Sequence, residues 1–130
     1  MAQYVELHCA SNFSFLHGAS HPEDLAARAR DLALTALALT GRAGLHGIVR
    51  FDEAAREAGV KPIFGSEIGL DDGTRLVLLA RDHDGYRNLS RLVTLARRGR
   101  PKGESAASFD LVAEHARGLF ALTAWLDGSV

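Results

Sequence analysis

The sequence predicts an α/β fold on a largely parallel sheet of about five strands. Two patterns predict it: short apolar runs alternate along the chain with stretches whose apolar residues recur at helical spacing, and glycines or turn-forming residues separate the two kinds of segment. With 130 residues, 47% hydrophobic and 24% charged, there is material for a single small domain, residues 1 to 130, with a core of its own.

Tyr4 to His8 alternates and predicts a first strand, followed by a polar, aromatic loop through Ser20. Ser20 and Glu23 have capping-box spacing, Pro22 suits a first turn, and Leu25, Ala29 and Leu32 follow at helical intervals, predicting a helix over about 21 to 33. Ala36 to Leu39 is too brief for a helix and predicts a buried strand. Ile48, Phe51, Ala55 and Ala58 mark one face of a second helix, ended by Gly59. Val60 to Ile68 predicts another buried strand, and Asp71-Asp72-Gly73 is turn chemistry that would pair it with Leu76 to Ala80 as a hairpin. Tyr86, Leu89, Leu92 and Ala96 form the clearest helical stripe in the chain. Residues 99 to 107 have the composition of a flexible linker, Ser108 suits the cap of a short helix to about Ala116, and Leu119 to Ala124 predicts a final strand.

The formal charge of −1 conceals an asymmetry. Residues 86 to 103 hold Arg87, Arg91, Arg97, Arg98, Arg100 and Lys102 with no acid, a local +6 that leaves −7 elsewhere. Such a stretch would attract a nucleic-acid backbone, with Arg87, Arg91, Arg97 and Arg98 as the contact candidates, although no aromatic side chains interleave as a single-strand stacking platform requires. Lone Cys9 excludes an internal disulfide. The N-terminus has no secretory pattern and no apolar run nears the roughly 20 residues of a membrane span, so a cytoplasmic location is expected.

Ligand sites in parallel α/β sheets lie at the carboxyl ends of strands, where His8, Gly41, Glu67 and Trp125 fall. In Leu7-His8-Cys9-Ala10-Ser11, an H-x-H would aim two imidazoles at one ion, but the second position is Ala10. Cys9 points away from His8 on a strand and reads as a buried, inert thiol. Gly41 to Gly47 has three glycines before a helix, yet neither the Walker lysine nor G-x-G-x-x-G spacing.

Four stretches carry a family resemblance: Tyr4-Val5-Glu6-Leu7-His8-Cys9-Ala10-Ser11-Asn12-Phe13-Ser14-Phe15-Leu16-His17-Gly18-Ala19-Ser20, Ala36-Leu37-Ala38-Leu39-Thr40, Ala58-Gly59-Val60-Lys61-Pro62-Ile63-Phe64-Gly65-Ser66-Glu67, and Gly85-Tyr86-Arg87-Asn88-Leu89-Ser90-Arg91-Leu92-Val93. Together they resemble the opening of a polymerase and histidinol phosphatase (PHP) domain, as at the N-terminus of the bacterial DNA polymerase III alpha subunit and closest to its error-prone branch. The resemblance implies a partial, truncated form of a distorted TIM-like barrel whose active members use clustered metal ions to hydrolyse phosphoesters. Of the ligand positions it implies, His8 and Glu67 match unchanged. Ala10 replaces a His, His17 an Asp, Gly41 and Arg42 an Asp-His pair, Arg75 a His and Trp125 a Cys, and the last Asp-x-His pair would lie beyond Val130.

Catalytic zinc needs about three protein ligands and metal clusters need more. The expectation is therefore a degenerate PHP module with no catalytic residues of its own, structural or partner-binding, linked to DNA replication and repair through the remainder of a polymerase or another replication or repair protein. The alternative is a reduced phosphoesterase or 3′-5′ exonuclease holding zinc or manganese at His8, His17 and Glu67.

Overall fold

The computed structural model describes residues 3–123. Along the chain come α1 (Pro22–Asp31), β1 (Ala36–Arg42), α2 (Ile48–Glu57), β2 (Lys61–Gly69), β3 (Arg75–Ala80), α3 (His83–Arg97), α4 (Phe109–Glu114) and β4 (Leu119–Thr123). The four strands form one sheet in the order β1-β2-β3-β4. By contact, the chain divides into two compact units: residues up to Gly41 with Leu45–Phe64, and Arg42–Gly44 with the residues from Gly65 onward.

β1 and β2 run the same way. The Lys61 amide donates to the Thr35 carbonyl at their start and the Ala43 amide to the Glu67 carbonyl near their end, with α2 as the crossover that parallel neighbours require. The other two pairings are antiparallel, β2 with β3 and β3 with β4. The sheet is thus mixed rather than mostly parallel, and it has four named strands among the described residues rather than about five.

In the first unit α1 packs on α2. Ala26 and Ala29 of α1 and Phe51 and Ala55 of α2 are buried, as are Ala36 to Thr40 of β1. The Phe51 and Phe64 rings meet edge to face with centroids 6.5 Å apart. The predicted capping box does not form: the N-cap of α1 is His21, without a side-chain cap. Glu23 accepts two hydrogen bonds from Arg50 of α2 instead, at 2.6 and 3.0 Å. A tertiary ion pair has outcompeted the local cap.

The expected strand at Tyr4 to His8 is reduced to one parallel bridge, Glu6 to Leu37. The Ala38 amide donates to the Glu6 carbonyl and the Thr40 amide to the Cys9 carbonyl, so the segment advances three residues while β1 advances two. That one-residue slip breaks the ladder. Thr40 Oγ1 covers the break, accepting the Cys9 amide at 3.0 Å. The following loop carries Phe15 and Leu16 at 81% and 101% exposure, Leu16 with φ of 67°.

The second unit opens on the predicted hairpin, in which Gly73 has φ of 86° and Asp72 accepts both the amide and the hydroxyl of Thr74. β3 is buried on both faces through Leu76, Val77, Leu78 and Leu79. Helix α3 lies on β3 and buries Leu89, Leu92 and Ala96. Its N-cap is Asp82, whose carboxylate accepts the Gly85 amide at 2.8 Å. Ser108 caps α4 as predicted, accepting the Leu111 amide at 3.0 Å.

β4 runs antiparallel to β3 because the chain between α3 and β4 makes an extra trip along the sheet. Ala107 pairs with Gly69 and Asp71 at one end, and Leu119 pairs with Ala80 at the other. Ala107, at the end of the linker-like stretch, is buried and its amide donates to the Gly69 carbonyl. Among the described residues no helix is long and apolar enough to cross a membrane.

Candidate metal centre

Glu67 lies near the carboxyl end of β2, and its neighbours follow from register. Gly69 pairs with Arg75 and Glu67 with Val77, so Glu67 and Arg75 are diagonal neighbours on one face of the hairpin, within reach of long side chains. Arg42 closes β1 at the same end. Glu67 Oε1 takes both guanidiniums, with Arg75 Nη1 at 3.1 Å and Arg42 Nη2 at 3.7 Å. The Glu67 side chain is only 11% exposed, against 34% for Arg42 and 30% for Arg75.

The loop after Arg42 is pinned. Ala43 adopts φ of 46°, donates its amide to the Glu67 carbonyl at 2.8 Å, and accepts Arg97 Nε on its own carbonyl at 2.7 Å. The next amide, of Gly44, donates to the hydroxyl of fully buried Ser66 at 3.0 Å. Sequence reasoning missed Ser66 and put Arg97 among the nucleic-acid contacts. The polar interruption of an apolar strand at Ser66 was the available signal; for Arg97, 54 positions from its partner, there was none.

The other candidate ligands lie in the first unit. His8 is exposed, its amide donating to Glu6 Oε1 at 3.1 Å. His17 is exposed in a turn, its amide on the Ser14 carbonyl. Among the described residues no three His, Cys, Asp or Glu side chains are grouped so as to hold a metal ion. Trp125 lies outside the described residues. Burial, with a smaller contribution from the Glu6 charge, raises the Cys9 thiol pKa above its ordinary value, which suppresses the reactive thiolate.

Of the basic stretch, Arg87 and Arg91 are exposed on α3, Arg87 lying 3.9 Å from Asp84. Arg98 is exposed, Arg100 pairs with Asp71 at 3.4 Å, and Arg97 is committed to Ala43.

As a resident metal centre the cluster fits poorly. A carboxylate oxygen that would ligate a cation already faces two guanidiniums, whose charge opposes a metal ion at short range. The family profile of the PHP domain matches residues 6–130. The chain belongs to the PHP domain family. Its relatives include error-prone DNA polymerases from Dechloromonas aromatica, 56% identical over 79% of this chain, and from Pseudomonas fluorescens, 49% identical over 99% of it. The chain spans only 10% and 12% of those two proteins. Among solved structures, a candidate metal-dependent phosphoesterase from Bifidobacterium adolescentis superposes with a TM-score of 0.58 at 26% identity, covering 77% of this PHP domain and 35% of that protein.

Proposed function

We propose that this chain is the PHP module of an error-prone DNA polymerase, with its phosphoesterase centre converted into an arginine-glutamate cluster that serves structure and partner contact. The observation carrying this reading is the convergence of Arg42 and Arg75 on Glu67 Oε1. In a PHP domain this strand end is where the resemblance places cationic metals. A guanidinium pair holds the carboxylate in a fixed geometry without any ion, and it supplies no activated water for hydrolysis. The remainder of a polymerase is the natural partner, since the relatives are polymerases of which this chain covers about a tenth. A role in DNA replication and repair follows from that partner.

A second reading is favoured by the likeness to a candidate metal-dependent phosphoesterase: zinc or manganese held by His8, His17 and Glu67. Metal analysis of the purified chain, with hydrolysis assays on a chromogenic phosphodiester and on single-stranded DNA, separates the two. The leading reading expects substoichiometric metal, no turnover, and a Glu67→Ala variant whose only defect is stability. That defect is expected to be about 1–3 kcal/mol, because two partly buried guanidiniums lose a shared acceptor. Stoichiometric metal with hydrolysis that disappears in Glu67→Ala would establish the phosphoesterase instead.

A further inference from the structure

We infer that the outer face of α3 is a docking surface for an acidic helix of a partner protein. Arg87, Arg91, Thr94 and Arg98 recur at intervals of four, three and four residues, which at 3.6 residues per turn keeps all four within about 60° of arc along about 16 Å of axis. Leu89, Leu92 and Ala96 are buried on the opposite side, so the stripe points away from β3, on which α3 lies. Arg98 is the C-cap and closes the stripe, its amide still bonded to the Thr94 carbonyl. None of the residues gathered at Glu67 takes part.

The charges of this face are not arranged as in a helix stabilised for solvent alone. In the first unit, Arg50 pairs with Glu23 at 2.6 Å, Arg56 with Asp52 at 2.8 Å and Arg30 with Asp31 at 3.2 Å. On α3, Arg87 approaches Asp84 only to 3.9 Å, the outer edge of ion-pair range, and Arg91 and Arg98 have no ion pair among the described residues. Arg87 and Arg91 stand four apart, where like charges destabilise a helix. A partner's carboxylates would relieve that repulsion and take up the guanidinium forks, two donors to each carboxylate.

A nucleic acid matches this face less well. No aromatic side chain stands in the stripe to stack on bases, and the chain outside residues 86 to 103 carries −7, which repels a polyanion running past the stripe. An acidic helix repeats on the same 3.6-residue period, so glutamates at matching intervals meet the arginines one for one. Thr94, small and with its hydroxyl turned back to the Ser90 carbonyl at 2.9 Å, leaves room between Arg91 and Arg98 for that helix to come close. With no apolar anchor among the four, the contact is electrostatic and salt-sensitive.

The test titrates the 130-residue chain into a labelled, alanine-rich helical peptide of about 20 residues whose glutamates recur at the spacing of the stripe, read by fluorescence anisotropy. A peptide of the same composition with its glutamates shuffled off that spacing, a DNA duplex and an oligothymidylate are the other probes. Saturable binding of the patterned peptide is expected, several-fold tighter than that of the shuffled one, and lost at about 1 M salt, where the Debye length falls to about 3 Å. Arg91→Glu should weaken it about tenfold or more, since the change removes an attraction and adds a repulsion. The same change sets a carboxylate within reach of Arg87, so the urea midpoint should hold or rise and separate lost binding from lost folding. Arg98→Glu, at the helix end, repeats the test at a second position, and Arg28→Glu, on the exposed side of α1, should leave binding unchanged. Equal binding of the shuffled peptide would overturn the inference in favour of unspecific charge attraction. Tighter binding of either DNA, abolished by Arg91→Glu, would assign the face to nucleic acid instead. No binding of the patterned peptide would overturn it outright.

Discussion

At Gly85 the space for a side chain is already filled. A β-carbon there would lie 1.9 Å from the Gly118 carbonyl oxygen, and Gly118 itself has φ of 78°. The same turn is held by the Arg81 amide on the Gly118 carbonyl and by Asn88 Nδ2 on the Arg117 carbonyl, both at 2.8 Å. The Gly85-Tyr86-Arg87-Asn88-Leu89 block, which opens one of the stretches that carry the family resemblance, is thus a clamp on the turn that delivers β4. Backbone on backbone leaves nothing flexible to move aside. Gly85→Ala is expected to destabilise the chain by about 1–3 kcal/mol, as overpacking does, read as a lower urea midpoint with an unchanged slope.

Among elements, the slipped ladder beside β1 depends on a hydroxyl. Thr40 is fully buried, and its Oγ1 accepts the Cys9 amide where a regular parallel ladder would have supplied a carbonyl. Thr40→Val keeps the shape and removes the acceptor. The stranded amide should cost about 1–3 kcal/mol, and amide exchange at Cys9 should quicken more than at Ala38, whose bond to the Glu6 carbonyl remains.

The α1 and α2 helices are joined by Glu23 and Arg50, and hydrogen bonds from Arg50, foremost among the causes, lower the Glu23 pKa below its ordinary 4.5. A depressed carboxyl pKa contributes stability that is complete above the unfolded value and lost as pH falls through the folded one. Glu23→Gln should therefore lower the urea midpoint at pH 7 by a small amount, within about 1 kcal/mol for so exposed a pair. In a series of melts below pH 4.5 the gap between variant and parent should close. A gap that persisted in strong acid would assign the effect to packing.

For the molecule as a whole, what could be read from the sequence was whatever local pattern decides. Every helix, the Asp71-Asp72-Gly73 hairpin and the Ser108 cap follow from spacing and turn chemistry within a few residues. Tertiary competition hid the rest. Glu23 left its cap for Arg50, the segment to His8 lost register against β1, and the return path of 99 to 118 reversed β4. Of the site, the resemblance sets Arg42 and Arg75 at ligand positions, while their meeting on one oxygen of Glu67 depends on strand register and could not be read from composition.

The Phe15-Leu16 pair has a practical consequence. A peptide bond held this far clear of its surroundings, with its second residue already in a left-handed conformation, fits a protease cleft without α1 or β1 coming apart. Chymotrypsin, which selects aromatic residues, should nick the folded chain after Phe15 first, and the masses of the earliest fragments would report it. An initial cut elsewhere would mean that this loop is shielded in solution.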